Sequence, residues 1–188
     1  MRLIRRATTL LMASTSVQAS TASPAYDVVV YGASGFTGRL AVEYLTDRYA
    51  TSGLKWAIAG RSRERLEALE ASVPIIVADA TDAASVDAMV AQTKVLLNYA
   101  GSPYITKALP VVEACARHGT HYVDVTGEVA LHRASLDRHD AKAKETGALI
   151  VHSCGYDSIP SDLGYLLASD AYQERYNAQP ERARLLTR

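Results

Sequence analysis

Tyr26-Asp27-Val28-Val29-Val30-Tyr31-Gly32-Ala33-Ser34-Gly35-Phe36-Thr37-Gly38 decides how the rest of the chain reads. Tyr26–Tyr31 is a short, nearly continuous apolar run, the pattern of a strand covered on both faces in a parallel sheet. Three glycines follow with the spacing G-x-x-G-x-x-G, and from Phe36 to about Tyr49 the pattern becomes helical. Leu40, Ala41, Tyr44 and Leu45 are expected as the inner stripe of that helix. In a strand–turn–helix setting each glycine has its own reason. Gly32 permits the sharp turn leaving the strand, Gly35 has no Cβ to hold a pyrophosphate off the backbone, and Gly38 lets the helix lie close to the sheet. Free N–H groups and the positive end of the helix dipole would then face the phosphates, across Phe36, Thr37 and Gly38. Ser34 and Thr37 can add hydroxyl donors.

Outward from this segment, strand and helix alternate. Lys55–Ala59 reads as a strand and Arg63–Ala71 as a helix behind a Ser62 cap. Ile75–Ala78 is the next strand, then a helix over Asp82–Ala91 with Thr81 as a possible cap. Val95–Asn98 is a strand, and Ser102 is placed to cap a helix with Pro103 at its first position, where a missing N–H does no harm. His121–Val125, a helix over Val129–Thr146, and Leu149–His152 complete the series; Pro160 could open one more helix to about Tyr172. This alternation predicts an α/β fold with a doubly wound parallel sheet, a Rossmann-type NAD(P)-binding domain over residues 26–156.

The end of the second strand speaks to the choice of dinucleotide. An NAD site places Asp or Glu there to bond the ribose 2′-hydroxyl, whereas this chain has Gly60 and then Arg61. A small residue leaves room for a 2′-phosphate and a guanidinium neutralises it, so NADP(H) is expected over NAD(H). Arg63 and Arg65 could assist, although on a helix they read more readily as solvated charges. Asp79 closes the third strand, as an adenine contact or as a turn residue before Thr81. Ala100 and Gly101 close the fourth, where small residues let the nicotinamide ribose approach the backbone.

The catalytic residues stay unknown at this level. Of the ionisable groups at the carboxyl ends of the fifth and sixth strands, Glu128, Tyr156 and Asp157 are the best placed near a bound nicotinamide, and each could equally cap a helix or close a turn. Cys154 reads as a packed thiol, and the histidines show no metal-ligand spacing, so no metal is expected. Two other chemistries fail on spacing. Tyr104 and Lys107 lack the offset of four that a short-chain dehydrogenase pair requires, and Phe36 stands where a G-x-S-x-G elbow needs Gly.

Composition narrows the class. The 188 residues are 48% apolar and 21% charged, which excludes a disordered chain. Basic and acidic residues number 20 each, so no basic field points to nucleic acid. No apolar run is long enough for a transmembrane span. Residues 1–25 differ from the body: Arg2, Arg5 and Arg6, many Ser and Thr, and no acid before Asp27. That amphipathic pattern reads as a mitochondrial presequence, against a secretory signal or a disordered extension as rivals. Cytoplasm and lipid droplet are the alternative destinations.

The segments YDVVVYGASGFTGRL (26–40), WAIAGRS (56–62), LLNYAGSPY (96–104), YVDVTGE (122–128) and HSCGYDSIPSDLG (152–164) together resemble the amino-terminal half of saccharopine dehydrogenase-like oxidoreductases. The resemblance runs in register over roughly residues 26–167. It is to the branch that includes a bacterial trans-acting enoyl reductase working in lipid synthesis, some of whose eukaryotic members are associated with mitochondria and lipid droplets. It implies an NAD(P)-dependent oxidoreductase acting on a carbonyl or enoyl group of a small or lipid-like substrate. Family members carry a second α/β domain that closes over the nicotinamide. Residues 157–188 are accordingly expected to be the start of that domain, truncated, or a tail. A non-catalytic NADP(H)-binding module or inactive fragment is the alternative, and a homodimer through the surface a second domain would cover is a further expectation.

Overall fold

A computed structural model describes residues 23–184 and Leu186, so the presequence reading lies outside the described residues up to residue 22. Its centre is a six-stranded sheet formed by β1 (Tyr26–Tyr31), β2 (Trp56–Gly60), β3 (Ile75–Val77), β4 (Thr93–Asn98), β5 (His121–Asp124) and β6 (Ile150–Val151). The order is β3-β2-β1-β4-β5-β6 and every pairing is parallel. Strands this short and apolar cannot return by hairpins in a parallel sheet. The chain therefore crosses over through α1 (Phe36–Tyr49), α2 (Arg63–Glu67), α3 (Ala83–Val90), α4 (Tyr104–Lys107), α5 (Leu109–His118) and α6 (Val129–Thr146). Another helix, α7 (Ile159–Tyr176), follows β6.

Two cores form, one on each face of the sheet. Val30, Ile58 and Leu97 meet Val42 and Leu45 of α1 and Leu66 of α2. On the other face Val29, Tyr31, Leu96 and Tyr122 meet Met89 and Val90 of α3 and Val111, Val112 and Cys115 of α5. Ile58, Leu66, Leu96 and Tyr122 are fully buried, and such a side chain contributes about 1.5–3 kcal/mol when removed from water.

The inner stripe of α1 differs from the expected one. Gly38, Val42 and Leu45 face the sheet, while Leu40 and Tyr44 are half exposed and continue a surface stripe from Phe36. The helix carries two apolar stripes, and close approach decides between them: a Cβ on Gly38 would fall on the Gly32 carbonyl oxygen. That contact turns the Gly38 side inward.

Two expected caps are also replaced. Asp82 caps α3, accepting from the amides of Ala84 and Ser85, while Thr81 bonds Asp79 instead. Ser102 does not cap the helix after it; the Glu128 carboxylate does so from across the rim. Ser62 caps α2 as expected, through Arg65 N at 3.3 Å. The expected helix from Pro103 is divided into α4 and α5, because Pro110 has no N–H to continue the ladder.

Candidate functional site

Strand order reverses between β1 and β4, and at such a switch point the loops leaving the two strands separate and open a crevice beyond their carboxyl ends. A cleft of about 250 Å³ lies there. Of the sequence-derived candidates, Gly32, Ser34, Gly35, Arg61, Asp79, Ala100 and Gly101 line it together. Phe36, Thr37 and Gly38 do not line it; they form the first turn of α1 beside it. A larger hollow of about 540 Å³ lies at the opposite end of the sheet, walled by Tyr26, Leu45, Trp56 and Pro74, remote from the glycine turn.

The glycine turn is built tightly. Gly32 has φ +81°, a left-handed conformation, and a Cβ there would sit 2.5 Å from Ala100 N. Gly35 N donates to Gly32 O at 2.9 Å, closing the turn, and Gly35 O accepts from Arg39 N. Gly35 is the N-cap of α1 and has no side chain to bond the helix amides. Among the described residues the amides of Phe36, Thr37 and Gly38 have no acceptor, so the positive end of a 14-residue helix stands open beside the cleft.

Charge in the cleft is mostly positive. Arg61, Arg65 and Lys107 line it, and among the described residues none has a carboxylate within ion-pair distance. Arg63 is turned away and pairs with Glu67 at 3.7 Å. The single carboxylate, Asp79, accepts from Thr81 N at 2.9 Å and Thr81 Oγ1 at 2.8 Å, which holds its carboxyl below the usual range. Asp79 thus closes the turn that was its alternative reading and still faces the cleft. Tyr31 ends β1 at the cleft floor, its phenol pushed up to about 12 by burial and the neighbouring Asp79.

Beside the cleft runs a buried polar chain. Asn98 Oδ1 accepts from Ala100 N at 2.8 Å, and its Nδ2 donates to the Tyr122 hydroxyl at 2.8 Å. That hydroxyl donates to Asp124 Oδ2 at 2.9 Å, and His152 Nδ1 bonds the same oxygen at 2.7 Å. Asp124 Oδ1 accepts from the amides of Thr126 and Ser153. Burial by itself would raise the Asp124 carboxyl, but the His152 bond and charge and the two amides outweigh it and hold the group low. The His132 ring stacks on His152 at 5.1 Å, and His152 Nε2 is buried with no partner among the described residues.

Of the rim candidates, Glu128 is committed to α4: its two oxygens accept from Tyr104 N at 2.8 Å and Ile105 N at 3.0 Å. Tyr156 and Asp157 are exposed on the loop before α7. Cys154 is half-buried and Cys115 fully buried, and both thiols are free. Burial pushes both thiols up, Cys115 furthest. Among the described residues no cluster of His, Cys, Asp or Glu could hold a metal ion, and no helix is long and apolar enough to cross a membrane.

Sequence reading did not select Tyr31, Tyr99, Thr81 or Lys107 for the cleft, nor the chain from Asn98 to His152. Tyr122 and Asp124 share one face of β5 by the period of two, which was a usable signal. Nothing local announces that His152 meets them, since that contact depends on β6 lying next to β5.

An open doubly wound sheet with a glycine turn, a bare helix N-terminus and free cations at its switch point defines a dinucleotide-binding domain. A family model described as the saccharopine dehydrogenase NADP binding domain matches residues 28–151, and the chain belongs to that family, with NADP as its dinucleotide. It is 45% identical over 145 residues to the trans-acting enoyl reductase of Mycobacterium leprae, covering 73% of this chain and 34% of that protein. It is 44% identical over 151 residues to the trans-acting enoyl reductase of Mycobacterium tuberculosis, covering 77% of this chain and 35% of that one. The chain therefore spans about a third of the length of these curated relatives. Apo saccharopine dehydrogenase (L-Glu forming) from Saccharomyces cerevisiae shares the fold, with a TM-score of 0.62 and 21% identity, covering 81% of this chain and 32% of that one. A Citrobacter triphenylmethane reductase complexed with NADP(H) shares it at a TM-score of 0.51 and 17% identity, covering 77% of this chain and 55% of that one.

Proposed function

We propose that this domain belongs to an NADP(H)-dependent oxidoreductase that reduces a carbonyl or enoyl group of a lipid-like substrate. The observation that carries the cofactor half is Arg61 in the cleft, next to Gly60 and with no acid at the end of β2. The cofactor supplies a hydride when bound. The residues present do the holding. The Gly32–Gly38 turn and the open amides of α1 receive the diphosphate, Arg61 with Arg65 receives the 2′-phosphate, and Ala100 and Gly101 border the nicotinamide side. Lys107, whose Nζ donates to Ser102 O at 3.1 Å, adds positive charge at that edge. The enoyl class of substrate is supported by the names of the mycobacterial relatives. The Arg-rich, acid-free residues 1–25 support mitochondrial import as the destination.

Fluorescence titration of the chain with NADPH and NADH tests the reading. NADPH is expected to bind the more tightly. Arg61→Ala should weaken NADPH by about 10–100-fold, the scale of a lost charge-assisted hydrogen bond, and leave NADH nearly unchanged. If Arg61→Ala left NADPH binding unchanged while NADH still bound poorly, the assignment to Arg61 would be wrong.

A further inference from the structure

Asn98 is a residue whose side chain could be turned over without changing its shape, and the structure leaves it one permissible orientation. The constraint begins at Asp124. A carboxylate only accepts hydrogen bonds, so each of its partners must donate. Tyr122 has a single hydroxyl proton, and it is spent on Asp124 Oδ2 at 2.9 Å. The Tyr122 oxygen is left as an acceptor, and Asn98 must offer it the amide Nδ2, 2.8 Å away. Oδ1 then faces Ala100 N, which it accepts at 2.8 Å. In the reversed orientation Oδ1 would meet the lone pairs of Tyr122, and Nδ2 would meet the Ala100 N–H. Asn98 and Tyr122 are essentially inaccessible to solvent, so no water would relieve either clash.

We propose that Asp124 acts through Tyr122 and Asn98 as a positioning device for the Tyr99–Gly101 turn, which borders the cofactor cleft. The proposal rests on the cofactor reading above. The turn has little slack. Gly101 has φ +87°, and Ala100 N lies so close to Gly32 that the glycine turn tolerates no Cβ there. A peptide rotation at Ala100 would therefore move one wall of the cleft relative to the other. The same carboxylate ties in the chain after β6, through Ser153 N at 3.0 Å, while the backbone oxygen of Asp124 accepts from Cys154 N at 2.7 Å. Asp124, Tyr122 and Asn98 are not among the residues that line the cleft. They are positioning residues.

The test uses the whole 188-residue chain and two variants. Tyr122→Phe removes the hydroxyl and almost no volume. Asp124→Asn keeps the shape and introduces a donor, which permits the Tyr122 proton to turn towards Asn98. Amide hydrogen exchange reads the device without any cofactor. Exchange at Ala100 should accelerate by about tenfold in either variant, well beyond neighbouring amides of β4 and β5, and the NADPH Kd should rise by about the same factor, the consequence of unsatisfied buried groups. Exchange that is unchanged at Ala100, or that rises evenly along β4, β5 and β6, overturns the proposal, since an even rise is what general destabilisation produces. If Asp124→Asn fails to fold, Tyr122→Phe decides alone. A wild-type chain that does not bind NADPH removes the cofactor reading, and the pattern at Ala100 still decides whether the device exists.

Discussion

Gly35 and Gly38 lie three positions apart in one motif, yet a methyl group at each should do different damage. At Gly38 the Cβ would overlap the Gly32 carbonyl oxygen and crowd Ala33, both backbone, so the helix must move off the strand. Gly38→Ala is expected to destabilise by about 2 kcal/mol, within the range for overpacked sites, lowering the thermal midpoint by roughly 4–8 °C. At Gly35 the backbone is ordinary, with φ −75°, and the Cβ would stand 3.2 Å from the Gly32 oxygen. Gly35→Ala should therefore cost less than about 1 kcal/mol and yet weaken NADPH strongly, because its methyl projects where the diphosphate must approach. Thermal melts beside NADPH titrations separate the two; equal melting losses would refute the division of roles. These positions were legible from spacing alone because a glycine turn is a local device. Lys107 was not, since its place in the cleft depends on how α4 follows the Ala100–Gly101 turn, and spacing holds no record of that.

Elements explain where the remaining legibility ended. Short apolar strands alternating with helices made the doubly wound parallel class legible, while the order β3-β2-β1-β4-β5-β6 was not spelled out by that alternation and comes from the structure. The stripe of α1 was not legible either, because two apolar stripes compete on it and a contact between distant atoms chooses. The union of β4, β5 and β6 through Asp124 belongs to the same class, being a property of neighbouring strands. That union also carries a pH dependence. His152 and the amides of Ser153 and Thr126 hold the Asp124 carboxyl below its usual value despite burial, so the folded chain binds that proton less readily than the unfolded one. The resulting stabilisation is complete above the ordinary carboxylate value of about 4 and is lost as the pH falls through the lower folded value. In urea unfolding, the wild-type midpoint should fall more steeply from about pH 5 to about pH 2 than that of Asp124→Asn. Parallel slopes for the two proteins would show that Asp124 contributes nothing to acid sensitivity.

At the scale of the molecule, apolar surface is unevenly distributed. The faces of β1 and β2 are sealed by helices, and β2 is buried along its whole length. Across the sheet Val151 of β6 is 48% exposed, and Leu149 just before it is 65% exposed. On α7, Leu163 and Leu167 are four residues apart on one helical face and 50% and 70% exposed, with Leu166 half exposed beside them and Tyr165 half exposed on the opposite side. Three large apolar side chains at i, i+3 and i+4 share one face of α7, an exposed apolar stripe of the kind that marks an interaction surface, unlike a scattering of single exposed residues. With the cofactor cleft on the rim near β1 and β4, a contact made through α7 would leave the dinucleotide site open. The chain in solution should therefore self-associate as its concentration rises, without losing NADPH binding. Leu163→Glu with Leu167→Glu places two charges in that patch and should return the protein to a monomer by sedimentation, at unchanged helical content and unchanged NADPH affinity. Association that persists in the double variant would locate the contact elsewhere, with the Phe36, Leu40 and Tyr44 stripe of α1 the next surface to alter.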